Sequence, residues 1–112
     1  MIAATLTITL VQSELVWHEP AINRGRFAER LAPLAGRSDL IVLPETFTSG
    51  FTMAADAVAE PPDGPTLEWL QRTAERLSAA VTGSYLVREA GATYNRLVWA
   101  RPDGSYETYD KR

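Results

Sequence analysis

The spacing of apolar residues predicts five β-strands. Over Thr5–Val11, threonine alternates with leucine or isoleucine, which is the period-two pattern of a strand with two unlike faces. The continuous apolar run Leu40–Leu43 is typical of a parallel strand that is buried on both faces. Period two returns in Ala80–Val87, where Gly83 marks either a bulge or a close approach of another segment. The last two predicted strands are Tyr94–Arg101 and Ser105–Tyr109.

Two segments have helical periodicity, and each begins at a proline. The helix from Pro20 has an apolar side, but Gly25 and Pro33 weaken it, so we expect it to be frayed or kinked late. That apolar side consists of Ala21, Ile22, Phe27, Ala28, Leu31 and Leu34. The helix from Pro65 carries one apolar stripe, which is formed by Leu67, Leu70, Ala74 and Leu77.

The order of these elements predicts an α/β fold. The first strand, the first helix and the second strand form a βαβ unit, whose crossover should be right-handed. We expect the first three strands to pair in one layer, with both helices on one face and the last two strands added as antiparallel neighbours. The turn Pro102–Ser105 indicates a hairpin between those last two strands. The loop Pro44–Gly64 is longer than the usual ~4–6 residues, and such loops are often functional.

Composition and charge exclude several classes of protein. With 46% hydrophobic and 22% charged residues, the 112-residue chain has the composition of one folded domain and not of a disordered segment. It has no apolar run of the ~18–20 residues that cross a bilayer, and its first residues do not resemble a signal peptide. A net charge of −3 gives no basic surface for nucleic acid. We therefore expect a cytoplasmic protein that binds neither nucleic acid nor membrane.

The scarcity of cysteine, histidine and lysine limits the chemistry of these residues. The sequence has no cysteine, which excludes disulfides, thiolate metal sites and a cysteine nucleophile within it. His18 is the one histidine, so a site with several histidine ligands is excluded as well. Among eleven basic residues, Lys111 is the single lysine, which suggests a position where arginine does not serve. We therefore expect no metal site built on thiolates or on several histidines.

Glu45 is the strongest candidate for a catalytic group. It follows the predicted buried strand directly, at the carboxyl end where α/β sheets place their ligands, and Pro44 restrains the turn. Burial at this position would raise the pKa of its carboxyl and favour a role as general base. The alternative is an ordinary glutamate at a strand–loop junction, exposed and solvated.

Other segments are weaker candidates. Lys111, in Tyr109-Asp110-Lys111, would hold an oxyanion or tune a base, but alone it equally suits a charged, solvent-facing strand end. The loop Thr48–Met53 is expected to pack Phe51 and Met53 onto the core. His18 is expected to be a surface or hydrogen-bonded histidine. Ser49 and Ser84 have no histidine in a local motif, so a serine hydrolase has little support, and Asn95-Arg96 is weaker still.

Taken in order, these motifs resemble the N-terminal part of a nitrilase-superfamily (carbon–nitrogen hydrolase) protein, most closely of the omega-amidase branch. The matching elements are Thr7–Gln12, Asp39–Phe51 (DLIVLPETFTSGF), Thr52-Met53, the Gly83-Ser84 strand, Tyr94-Asn95-Arg96 and Gly104–Arg112 (GSYETYDKR). By this resemblance Glu45 matches the catalytic glutamate, a general base, and Lys111 matches the catalytic lysine, which stabilises the oxyanion. Thr46 departs from the branch, which usually has methionine there.

The resemblance implies a longer protein than these residues. In the family fold, a four-layer αββα sandwich, the cysteine nucleophile and a supporting glutamate lie beyond the lysine. We therefore interpret residues 1–112 as a partial domain that is truncated before its nucleophile. The implied activity is hydrolysis of small dicarboxylic-acid monoamides, typically amides of 2-oxo acids, without a cofactor and in a homo-oligomer. Alternation predicts that either Leu97 with Trp99, or Val98, lies on the sheet face that a second sheet would cover.

Two other functions remain open. In the first, the 112 residues are the real product and are a non-catalytic binding or assembly piece, or a relic. In the other they are an unrelated doubly wound ligand-binding domain, which is weaker because no glycine-rich phosphate loop follows the first strand.

Overall fold

Five strands form one mixed sheet in the computed structural model, which describes residues 4–111. The strands are β1 (Ile8–Leu10), β2 (Leu40–Val42), β3 (Ala80–Glu89), β4 (Ala92–Ala100) and β5 (Tyr106–Lys111), and they lie in this order across the sheet. β1, β2 and β3 are parallel, whereas β3, β4 and β5 form antiparallel pairs. The α/β class is confirmed. The first strand is shorter than Thr5–Val11, because β1 lies at the sheet edge and pairs only with the three residues of β2.

Two helices connect the parallel strands, α1 (Pro20–Leu31) and α2 (Pro65–Leu77). Each has proline in its first turn, where the missing N–H has no intrahelical acceptor in any case. The expected late irregularity of α1 is confirmed, because a 3₁₀ turn that contains Pro33 follows Leu31.

The apolar faces of the helices are predicted well for α2 and less well for α1. All four residues of the predicted α2 stripe are buried. In α1, Phe27 and Leu31 are buried, but Ala21 and Ile22 are exposed and Asn23 is buried instead. The prediction for Ala21 and Ile22 was wrong because Asn23 finds backbone hydrogen-bond partners inside, which turns its neighbours outward.

Phe47 lies at the centre of the core between the helices and the sheet. Its ring makes edge contacts with Phe27 and Tyr85, at centroid distances of 5.8 and 6.3 Å, and packs on Trp69 at 5.7 Å. Gly83 is the close approach that the sequence indicates and not a bulge, since the β3–β4 register continues through it. A Cβ on Gly83 would lie 2.9 Å from Phe47 Cδ1, so the strand and the ring fit together only because glycine has no side chain.

Glu60 attaches the loop between β2 and α2 to the rest of the fold. Glu60 forms a parallel bridge with Val87, and its buried carboxylate accepts hydrogen bonds from the Thr66 amide (2.8 Å) and hydroxyl at the start of α2. Arg24 of α1 lies 3.4 Å from the same carboxylate. Glu60, which the sequence did not indicate, therefore places a negative charge at the positive end of α2 and ties the loop to both helices.

The two faces of the sheet differ in their cover. Residues paired across antiparallel strands share a face, so Val98 lies on the helix side and is fully buried, whereas Leu97 and Trp99 lie on the other side. Leu97 and Trp99 are 36% and 37% exposed, and Leu10 on the same face is 75% exposed. Of the two predicted arrangements, the structure has Leu97 and Trp99 on the uncovered face. Within residues 4–111, no helix is long and apolar enough to span a bilayer.

The fit between Gly83 and Phe47 predicts opposite effects for two glycine substitutions. Gly83→Ala should lower the free energy of unfolding by about 1–3 kcal/mol, because the new methyl group overlaps Phe47 and Leu43. Gly25→Ala in α1 is the matched control, since its Cβ would meet nothing within 4 Å, and it should raise that free energy by about 0.5–1 kcal/mol. Urea unfolding followed by circular dichroism measures both. Equal effects of the two substitutions would contradict the close approach.

Candidate active site

Glu45 is held at the carboxyl end of β2 by a turn that hydrogen bonds fix on both sides. Before it, the Leu43 amide donates to the Thr82 carbonyl at 2.8 Å, which extends the pairing with β3. After it, Thr46 adopts a left-handed conformation (φ 48°), and its amide donates to Ser84 Oγ at 2.9 Å. Phe47 then enters the core. Ser84 is thus a support for this turn, in agreement with the absence of serine-hydrolase motifs.

The antiparallel register places Lys111 beside Glu45. Leu86 of β3, Asn95 of β4 and Lys111 of β5 pair side by side, and all three lie on the uncovered face of the sheet. The hairpin turn between β4 and β5, closed by the Arg101 amide donating to the Ser105 carbonyl at 2.9 Å, sets this register. The turn that the sequence indicates therefore determines where the lysine lies.

Three side chains meet at this site, where two donors bind one carboxylate oxygen of Glu45. Lys111 Nζ donates to Glu45 Oε2 at 2.5 Å across 66 sequence positions, and Asn95 Nδ2 donates to the same oxygen at 2.9 Å. The Glu45 and Lys111 side chains are 57% and 44% exposed, so solvent reaches the pair. The expected proximity of Glu45 and Lys111 is observed, and their catalytic roles remain predictions. Asn95, which the sequence ranked low, joins them because the register pairs it with Lys111.

The pKa of Glu45 shifts in the direction opposite to the one expected from burial. The hydrogen bond from Lys111 lowers the pKa of this carboxyl below its usual 4.5, and the bond from Asn95 lowers it further. Desolvation acts against them but does not prevail, because the side chain lies open to solvent. The expectation of a raised pKa was wrong, since a strand end need not be buried. Glu45 is therefore a carboxylate at neutral pH.

Asp110, the carboxylate next to Lys111 in sequence, belongs to the other face. Arg96 binds it through two nitrogens at 2.7 and 3.0 Å, and Arg96 also contacts Glu89 at 2.8 Å. The Arg96 guanidinium lowers the pKa of Asp110. The carboxylate that Lys111 meets is therefore Glu45 and not its sequence neighbour.

A groove of about 530 Å³ borders Glu45, and pockets that hold small ligands measure ~300–1,000 Å³. Its lining consists of Leu15, Glu45, Thr46, Phe51, Thr52, Leu86 and Asn95. This lining has a single charged side chain, Glu45, so a ligand here meets mostly apolar and neutral polar groups. Within residues 4–111, no three His, Asp or Glu side chains cluster as metal ligands.

Asn23 of α1 holds the two loops that border the groove. Its amide exchanges hydrogen bonds with the Val16 backbone at 2.8 and 2.7 Å and donates to the Thr48 carbonyl at 2.6 Å. His18 stacks on Trp17 and bonds through Nε2 to Thr52 Oγ1 at 2.7 Å, so it is the hydrogen-bonded histidine that the sequence predicted.

Phe51 and Met53 lie on the outside of their loop and not on the core. They are 78% and 91% exposed, which contradicts the sequence expectation. The reason is that Phe47, four residues before Phe51, already fills the space between the helices and the sheet. The left-handed turn at Gly50 (φ 73°) comes between Phe47 and these two residues.

Known proteins resemble this chain over nearly its whole length. Residues 7–112 match the model of a family described as carbon-nitrogen hydrolase. The omega-amidase YafV of Escherichia coli (strain K12) is 38% identical over 107 residues, which are 96% of this chain and 41% of that protein. A 2-oxoglutaramate amidase of Bacillus subtilis is 28% identical over 100 residues, 88% of this chain and 39% of that protein. The chain thus spans about two-fifths of the length of these curated relatives.

A solved structure agrees with the fold closely. XC1258 from Xanthomonas campestris is described as a CN-hydrolase superfamily protein with an arsenic adduct in the active site. It is 53% identical, with a TM-score of 0.92, and the match covers 96% of this chain and 40% of that one.

The contact between Lys111 and Glu45 predicts a pH dependence. The folded pKa of Glu45 should lie below 4.5, and Lys111→Gln should raise it because the largest cause of its lowering is removed. Since a lowered folded pKa stabilises the fold only while the carboxyl is ionised, this contribution is present above about pH 4.5 and is lost as the pH falls through the folded value. Carbon-13 NMR titration of the Glu45 carboxyl measures the shift. An unchanged pKa in Lys111→Gln would contradict the contact.

Proposed function

Because the chain belongs to the carbon–nitrogen hydrolase family, we propose that it is the N-terminal part of an amidase that hydrolyses small dicarboxylic-acid monoamides. The observation that carries the proposal is the contact of Lys111 with Glu45 at the border of a groove. The similarity to an omega-amidase and a 2-oxoglutaramate amidase supports amides of 2-oxo acids as the substrate class. A basic group for the distal carboxylate has to come from outside the groove lining described above.

The proposed mechanism divides the work between two residues of this chain and a cysteine outside it. Glu45 accepts the thiol proton, and the thiolate attacks the amide carbon. Lys111 stabilises the negative charge that develops on the carbonyl oxygen. The amide nitrogen takes the proton from Glu45 as its bond to the carbonyl carbon breaks, and it leaves as ammonia. Water then hydrolyses the thioester to the dicarboxylic acid. The lowered pKa of Glu45 keeps it ionised and ready to accept the proton at neutral pH.

The activity test compares the complete protein with the 112 residues alone. The complete protein should release ammonia from 2-oxoglutaramate, whereas the 112 residues should not, because they contain no thiol. In the complete protein, Glu45→Gln should lower kcat/KM by about 10²–10⁴-fold through loss of the base. Lys111→Arg should lower it by about 10²–10³-fold, since a planar guanidinium does not replace a compact ammonium.

Glu68→Gln is the matched control for that experiment. Glu68 is an exposed glutamate paired with Arg72 at 2.6 Å, so the same chemical change removes an ion pair far along the chain from Glu45. It should leave kcat/KM unchanged. Turnover by the 112 residues themselves, or full activity of Glu45→Gln, would contradict the proposed mechanism, whereas a complete protein without amidase activity would leave a binding or assembly role as the alternative.

The uncovered sheet face predicts self-association of the isolated 112 residues. Removal of apolar surface from water is favourable by about 25 cal/mol for each Å². A second copy of the chain should therefore cover the large apolar side chains on this face. Sedimentation at low micromolar concentration should show dimers or larger species, and the double variant Leu10→Gln/Trp99→Gln should reduce them. Ile22→Gln, an exposed isoleucine on the helix side, is the control and should change nothing. A monodisperse monomer that melts cooperatively would mean that these residues are a complete domain.

A further inference from the structure

We propose that Asn95 is a positioning residue for Glu45, which holds carboxylate oxygen Oε2 beside Lys111 and so makes Oε1 the oxygen that accepts a proton. The inference rests on the proposed function. Its geometric basis is the hydrogen bond from Asn95 Nδ2 to Glu45 Oε2 at 2.9 Å.

Asn95 is the most firmly held of the three converging residues. It lies on β4, which pairs along its length with β3 on one side and with β5 on the other. Glu45 follows a three-residue strand on a turn, and Lys111 ends a strand at the sheet edge. Asn95 donates from an inner strand and therefore holds the Glu45 carboxylate more firmly than Lys111 on the edge strand can.

The two donors leave the carboxylate with two unlike oxygens. Lys111 Nζ and Asn95 Nδ2 both bind Oε2, and within residues 4–111 no hydrogen bond reaches Oε1. When the thiol S–H bond breaks in the proposed reaction, its proton therefore forms the new O–H bond at Oε1, and the sulfur keeps the electron pair. Without Asn95, Lys111 alone would hold the carboxylate, and rotation about its last bond would change the direction in which the second oxygen points.

The orientation of the Asn95 amide supports the same conclusion. Only the NH₂ group can donate to a carboxylate, so Oδ1 has to point away from Glu45. Oδ1 is buried and has no hydrogen-bond partner among the described residues. A buried acceptor without a partner is unfavourable, and an apolar side chain would avoid it. The presence of asparagine at this position is therefore explained by the hydrogen bond that its NH₂ group donates to Glu45.

Two substitutions remove the donor in different ways, and a third is the control. Asn95→Leu is similar in size and has no polar atom, whereas Asn95→Asp has the same shape but places a negative charge beside Glu45. Thr93→Val changes a polar side chain on the same strand and face, whose hydrogen bond goes to Asp56. Circular dichroism and thermal melting establish whether each variant is folded. If Asn95→Leu does not fold, Asn95→Asp tests the proposal.

The first readout is the pKa of Glu45 in the 112 residues, measured by carbon-13 NMR, which does not depend on catalysis. Asn95→Leu should raise this pKa through loss of a hydrogen bond, and Asn95→Asp should raise it more through repulsion of like charges. Thr93→Val should leave it unchanged. Equal pKa values in the parent and Asn95→Leu would overturn the proposal.

The second readout is the pH profile of the complete protein with 2-oxoglutaramate. Asn95→Leu should lower kcat by about 10–100-fold, as expected when a reacting group is displaced, with KM little changed. The acidic limb of kcat/KM should move upward with the Glu45 pKa. An active parent and an equally active Asn95→Leu would overturn the role of Asn95 and leave the amidase proposal intact. An inactive parent would instead contradict the amidase proposal, and the NMR titration would then decide on Asn95.

Discussion

The register of the β4–β5 hairpin is the constraint on which the candidate site depends. Pairing of Ala100 with Tyr106 next to the turn carries through to Asn95 and Lys111 at the other end of the hairpin. A slip of one residue would move Lys111 to the helix face, where Arg96 already lies between Asp110 and Glu89. The ion pair with Glu45 exists because the hairpin excludes that alternative.

Packing of the fold positions the ion pair, and the ion pair contributes little to the stability of the fold. An exposed pair such as Lys111 and Glu45 contributes about 0–1 kcal/mol, whereas burial of one large apolar side chain contributes about 1.5–3 kcal/mol. Phe47, two residues after Glu45, is completely buried and fits against Gly83. The position of the glutamate is thus fixed by the packing of Phe47 and not by the charge of Glu45.

Sequence patterns predicted the strands and helices because these follow from local periodicity. They located Glu45 at a strand end, but only the resemblance to a family linked it to Lys111, since no local pattern spans 66 positions. Asn95 was ranked low, and counting back from a turn over Pro102–Ser105 would pair Lys111 with Arg96. The turn closes instead between Arg101 and Ser105, which pairs Lys111 with Asn95. The predictions of a raised pKa for Glu45 and of burial for Phe51 and Met53 were wrong, because both properties depend on which groups cover a loop. Periodicity carries no information about that cover.

The two faces of the sheet impose a direction on anything that completes the site. Helices α1 and α2 occupy one face, so within residues 4–111 Glu45, Asn95 and Lys111 face the side where Leu97 and Trp99 are uncovered. In the proposed amidase, a segment that brings a nucleophile to Glu45 would therefore arrive across this apolar surface. The hydrophobic free energy of that docking would bring the proposed catalytic groups together, which would couple the proposed activity to folding.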